Sequence, residues 1–130
     1  MEQSAQIIAA VFLFLIGASH IAAPRAWVDL IVLLRSKGGL GSLLVGVLSL
    51  PMGVLVVGFH NVWHGPQALL TAYGYWQLVR CLIFFCLPSV GLRMLAGVDA
   101  AKPQRYALAG APLLGLSLIL GYVILRGRGL

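Results

Sequence analysis

Charge is what this chain most lacks. Only 9% of its 130 residues are charged, nine Lys or Arg against three Asp or Glu, where soluble domains carry about 25%. A water-soluble surface needs that polar coat, so a soluble enzyme and a disordered segment are both excluded. Acid is scarcest. Glu2, Asp29 and Asp99 are too few and too scattered for paired-carboxylate chemistry. Ser42 and Ser49 have no histidine or acid placed beside them by spacing, so no nucleophile–base set is visible. Cysteine is limited to Cys81 and Cys86. Five residues apart on one helix they point about 140° from each other, unfit for a mutual disulfide; both read as packing residues.

What the chain has in abundance is hydrocarbon, 61% of residues before its 16 glycines are added. A bilayer core of about 30 Å needs about 20 apolar residues in a helix, and four stretches qualify. They run over about 5–23, 40–59, 66–87 and 104–125, the third opening at Pro66. The fold class is therefore all-α: a single domain of four transmembrane helices in a bundle, with no room for a soluble domain. The first stretch reads as a retained helix and not a leader, since Met1–Gln6 holds an acid where a leader has basic residues.

With four spans, both termini and the second connection share one face. The first connection holds Arg25, Arg35 and Lys37, and the third holds Arg93, Lys102 and Arg105. Arg126 and Arg128 oppose them. The positive-inside rule puts the six in the cytoplasm and leaves the termini and the 60–66 loop outside a bacterial inner membrane. The net charge of +6 thus sets orientation; nucleic acid is not a partner.

The first connection, about 25–36, is helix-length but too short to cross. Arg25 and Asp29 lie one turn apart, with Trp27 and aliphatic residues around the rest, which predicts a short helix in the interface. Val90–Ala101 is a looser counterpart. Shifting the chain by 64 residues lays Pro24 on Pro88 and Gly46 on Gly110, the mark of a weak internal repeat.

Helices in lipid associate through small residues and hydrogen bonds. Ser42, Gly46, Ser49 and Gly53 form one small stripe in the second span. Gly110, Ser117 and Gly121 lie on one side of the fourth, and the first offers Ala10 and Gly17. Pro51 and Pro112 each predict a kink.

Polar groups inside a span are costly and mark candidate sites. Arg80 lies seven residues before Leu87, about 10 Å from the cytoplasmic end, and shares one helical face with Tyr73 and Gln77. The stripe is the candidate ligand- or lipid-binding site; the competing reading is an Arg that snorkels or pairs with Asp29 or Asp99. His60, Asn61, Trp63 and His64 form an interfacial loop ahead of Pro66. His60 and His64 are one turn apart, a weak metal candidate with no third ligand, so no metal or other cofactor is expected. His20 and His60 fall at opposite ends of their spans, too far apart for a shared haem. His20 reads as a buried hydrogen-bonding group facing another helix. Four spans in so short a chain are also the layout of small multidrug-resistance exporters, but proton-coupled cation export needs a membrane carboxylate that this chain lacks.

The run His60-Asn61-Val62-Trp63, then Thr71-Ala72-Tyr73-Gly74-Tyr75, then Arg80 and Pro88, resembles a group of small bacterial four-span membrane proteins. Those share a His-Asn-x-Trp loop, Thr-x-x-Gly-aromatic, one basic residue in the third span and a closing proline. Tyr75 stands where Trp is usual, Arg80 where Lys is usual and Cys81 where Gly is common. The resemblance implies the four-span fold and adds weight to Arg80 and His60, but implies no reaction; the layout is also DoxX-like. The expectation is a non-enzymatic accessory protein, packed through its small-residue faces against itself or other membrane subunits, with a lipid- or partner-binding stripe. The alternatives are a small transporter or ligand-binding protein with its pocket at Tyr73, Gln77 and Arg80, and, more weakly, a metal or redox site at His60 and His64.

Overall fold

The computed structural model describes residues 2–98, 101–127 and 129, and every regular element among them is helical. Seven helices follow in order: α1 (Glu2–Ala22), α2 (Pro24–Ser36), α3 (Gly39–Phe59), α4 (Ala68–Cys86), α5 (Pro88–Ala96), α6 (Pro103–Ala107) and α7 (Gly110–Gly127). Four segments are long and apolar enough to cross a membrane: α1, α3, α4 and the α6–α7 stretch Pro103–Gly127. They form a helical bundle, as a multi-pass membrane protein requires.

The prolines punctuate this pattern. Pro24 and Pro88 each occupy the first turn of a short helix, where a missing N–H costs nothing. Ala23 and Leu87 ahead of them leave helical geometry, as a residue before proline tends to do. The segment after the first span is thus a separate amphipathic helix, with Val28, Ile31 and Leu34 buried. Pro51 lies inside α3, which continues through it. At Pro112 the helical hydrogen-bond ladder is interrupted. Its ring would clash with the carbonyl four residues back, that of Leu108. There Leu108 and Ala109 form a turn of tighter bonds, Ala109 N–H to the Tyr106 carbonyl and Ala111 N–H to the Leu108 carbonyl, before α7 begins at Gly110. The fourth span is therefore two helices with Pro112 in the first turn of the second. The third span begins at Ala68, not Pro66; Pro66 belongs to a turn closed by Leu69 N–H donating to its carbonyl.

The halves are built alike. Each runs span, proline-opened short helix, second span. α1 packs along α7 and α3 along α4, while α2 rests on α3 and α6 and α5 rests on α3 and α4. The shift of 64 residues carries the α1–α7 pair onto the α4–α3 pair, as two repeats of the same orientation would.

Two apolar clusters fill the bundle. Ala9, Leu13, Met52, Val56, Leu70 and Leu120 make one, toward the ends of α1 and α7 that carry the termini. Ile31, Leu34, Val45, Phe84 and Leu95 make the other, under α2 and α5. The side chains left outside are also apolar: Leu15, Leu48, Leu82 and Leu118 are all more than 60% exposed. Such a surface is tolerable only in lipid.

Candidate functional site

Most of the small residues that the sequence singled out in the spans are engaged within the chain. Ser42 Oγ donates to the Phe84 carbonyl at 2.7 Å and Ser117 Oγ to the Ala10 carbonyl at 2.7 Å; each tethers one helix to its neighbour. A Cβ on Gly46 would stand 2.7 Å from the Phe85 ring, on Gly53 2.8 Å from Leu78, and on Gly110 2.5 Å from the Gly17 carbonyl oxygen. Ser49 is buried too, but its hydroxyl bonds back to Val45 of its own helix. Gly121 is outside the seam within the chain, since a Cβ there would meet nothing within 4 Å. The small faces around Ser42, Gly46, Gly53, Gly17, Gly110 and Ser117 hold α3 to α4 and α1 to α7. Cys81 is a packing residue, its thiol donating to the Gly46 carbonyl.

Between the two clusters lies a polar layer. Tyr73 packs on the first cluster and Phe84 belongs to the second, and α4 carries Gln77 and Arg80 on the face between them. Arg80 Nη1 donates to Gln77 Oε1 at 3.2 Å, and Gln77 Nε2 donates to the Tyr73 hydroxyl at 3.0 Å. The three side chains that share a face in sequence are thus one bonded chain. Gln77 is buried and Arg80 half-buried, its guanidinium 5.7 Å from the Phe84 ring centre. Tyr106 of α6 is within electrostatic reach of Arg80. Among the described residues no carboxylate neutralises it. Asp29 is spoken for on the surface, 3.8 Å from Arg25 one turn away, and Asp99 lies outside the described residues.

Beside this layer His20 is held between two rings. Trp27 of α2 stacks on it at 4.2 Å and Tyr106 at 5.1 Å. Its Nδ1–H donates to the Ile16 carbonyl of its own helix at 2.7 Å, while its ring faces α2 and α6 through their aromatic side chains, the buried, hydrogen-bonded position that the sequence suggested. Trp27 Nε1 donates to Ser19 Oγ at 2.9 Å. Arg35 donates to the Leu95 carbonyl in the last turn of α5, the end of a helix where a cation is favoured. Arg25, Arg35, Lys37, Arg93, Lys102 and Arg105 all fall at this end of the bundle, on or beside α2, α5 and α6.

The His60–Pro66 connection is a structural lock. His60 is fully buried and both ring nitrogens are engaged: Gln6 Nε2 donates to Nδ1 at 3.3 Å and Nε2–H donates to the Gln67 carbonyl at 3.2 Å. The neutral imidazole satisfies both bonds and keeps no lone pair for a metal. His64 is exposed, and no group of three or more potential metal ligands occurs among the described residues. Val62 N–H donates to Thr71 Oγ1 at 3.1 Å, and that hydroxyl donates to the Val62 carbonyl at 2.7 Å. Trp63 donates to Asn61 Oδ1 and packs its ring 5.6 Å from Tyr75. Gly74 lets Val56 approach, since a Cβ there would stand 2.4 Å from it.

The residues of the His-Asn-x-Trp and Thr-x-x-Gly-aromatic runs therefore touch one another, and Gln6 fixes them to the start of α1. Sequence reasoning passed over Gln6 and Tyr106. A glutamine one turn into an apolar span, at the same end as His60, is the signal that could have found the first. Tyr106 had none, because it reaches the layer only after the break at Leu108. Comparison of the whole chain with family models, curated proteins and solved structures gives no match.

Proposed function

We propose that this chain is a non-enzymatic integral membrane component that holds an anionic group at Arg80, from the side of the bundle that carries α2, α5 and α6. One observation carries the reading. A guanidinium about 9 Å inside a span, six residues before the end of α4, bonds to a neutral amide where a charge in lipid calls for an opposite one. The anion is a lipid phosphate or a carboxylate from a neighbouring subunit, and the planar guanidinium has donors left for either. The six cations around the entrance raise the local concentration of anions. They also support placement in the inner membrane with that face toward the cytoplasm, the termini and the 60–66 loop outside. An assembly, of identical copies or in a larger complex, would form through the exposed large apolar faces, since the small-residue seams are occupied.

The test compares wild type, Arg80→Lys and Arg80→Gln in vesicles of phosphatidylcholine with and without phosphatidylglycerol, with thermal unfolding as the readout. A ligand that binds only the folded state raises its stability. Phosphatidylglycerol is expected to raise the melting temperature of wild type, to do so less in Arg80→Lys, and to do nothing beyond its general effect in Arg80→Gln. A partner carboxylate instead gives a stabilisation, lost in Arg80→Gln, that appears only in native membranes. Equal melting behaviour of all three proteins in both settings sinks the proposal. Asp99→Asn guards against an internal pair: if it reproduces Arg80→Gln, the anion belongs to the chain itself and the proposal also fails.

A further inference from the structure

The seam between α1 and α7 is tight at Gly17 and Gly110 and then opens. Toward the end that carries Arg126 the two helices leave a groove of about 510 Å³, lined by Ala10, Phe14, Leu15, Leu118, Gly121 and Leu125 among others. Its cause is local. Gly121 has no side chain to fill the space and nothing of α1 reaches within 4 Å of where one would stand. Phe14, Leu15, Leu118 and Leu125 around it are exposed, so the groove opens outward into hydrocarbon.

Its walls are apolar apart from two hydroxyls, both bonded within the chain: Ser117, at the inner end, to the Ala10 carbonyl and Tyr122 with Arg126. Water needs two or more polar partners to stay in such a place. Along α7 the groove runs from Ser117 to Leu125, about 12 Å of helical rise. Immediately beyond it Arg126 donates from Nη1 to the Tyr122 hydroxyl at 3.2 Å and lies over the Tyr122 ring at 6.0 Å. Tyr122 is itself a groove residue, so a guanidinium is held at the mouth of an apolar slot. Among the described residues no carboxylate pairs with it. Greasy walls with one cation at the water end are complementary to one molecule in a bilayer.

We infer that the α1–α7 groove is a binding site for an anionic phospholipid of the leaflet on the side of the chain termini: an acyl chain lies against Gly121 and the phosphate meets Arg126. A transmembrane helix is the poorer occupant. Close helix approach needs small residues repeated along the contact. Ser117, four positions before Gly121, is buried and bonded to the Ala10 carbonyl, so on α7 Gly121 is the one small residue left open in the groove, flanked by Leu118, Tyr122 and Leu125. The site is separate from Arg80, on another pair of helices and toward the opposite membrane surface.

The experiment uses the full chain in vesicles, with phosphatidylglycerol or phosphatidylcholine spin-labelled on the acyl chain, and counts motionally restricted lipids per protein by electron spin resonance. It is run in wild-type and Arg80→Gln backgrounds, so that a lipid held at Arg80 is subtracted. Gly121→Leu, which has room to fold, is expected to lower the restricted population by one lipid per chain in both backgrounds. Arg126→Gln is expected to keep the population and to bring the preference for phosphatidylglycerol over phosphatidylcholine at this site close to parity. An unchanged count in Gly121→Leu, or an undiminished preference in Arg126→Gln, overturns the inference. So does oxidative dimerisation of a Gly121→Cys chain with loss of the restricted lipid, which would put a second copy in the groove.

Discussion

At the scale of single residues, the decisive contrast is between His60 and Arg80. Both are polar, both sit in or beside a span, and both belong to the pattern that sets this sequence apart from plain hydrocarbon. His60 is satisfied on both nitrogens by Gln6 and Gln67, whereas Arg80 meets a neutral amide. The first is architecture and the second is the charge for which we propose a partner. Thr71 belongs with His60: Thr71→Val would leave the Val62 N–H and carbonyl without their partner in a dry site, a loss of about 1–3 kcal/mol per stranded group. A lower melting temperature in detergent, with membrane insertion retained, is the expected outcome. Trp63→Phe removes an exposed bond to Asn61 and keeps an aromatic ring beside Tyr75, so it should change melting far less in the same assay. The stripe Tyr73, Gln77 and Arg80 was legible because an interval of four and then three residues puts side chains on one helical face whatever the tertiary structure. The role of Gln6 was not, because its meaning depends on where the end of a different helix comes to rest.

Among the elements, the four spans and the helix after Pro24 could be read from hydropathy and proline placement, for the reason that lipid tolerates few backbone solutions. The break at Leu108–Ala109 could not. Deciding between a kink at Pro112 and an interruption before it depends on where α6 comes to rest in the tertiary structure, with Tyr106 against His20. Small-residue stripes were visible, but their users were not: spacing shows that backbones can approach, while the identity of the approaching helix is a tertiary fact. That distinction predicts a graded series. Gly46→Leu and Gly110→Leu drive a side chain into the Phe85 ring and the Gly17 carbonyl respectively, and overpacking of this kind costs about 1–3 kcal/mol or more. Gly121→Leu meets open space and should stay within about 0.5 kcal/mol of wild type. Denaturant titration of the three variants in mixed micelles orders them; equal destabilisation of all three would mean the seams are misplaced.

Over the whole molecule, the two half-chains give a bundle with unequal ends. Gln6, His60 and the 60–66 turn close one end, and six cations with an aromatic-clasped histidine cover the other. Single cysteines at Gln3 and His64 should label from one side of a sealed vesicle, and one at Ser36 from the other. If Ser36 and His64 react from the same side, the four-span arrangement is wrong. The polar layer lies nearer the cationic end, so the functional proposal and the orientation stand on the same asymmetry.

Native mass spectrometry of the assembly released from its own membrane, compared among wild type, Arg80→Lys and Arg80→Gln, tests the anion site most directly. Wild type is expected to carry a stoichiometric phospholipid or acidic subunit, Arg80→Lys to carry it at reduced occupancy, and Arg80→Gln to have lost it while remaining folded. Identical adducts on all three proteins would contradict the account.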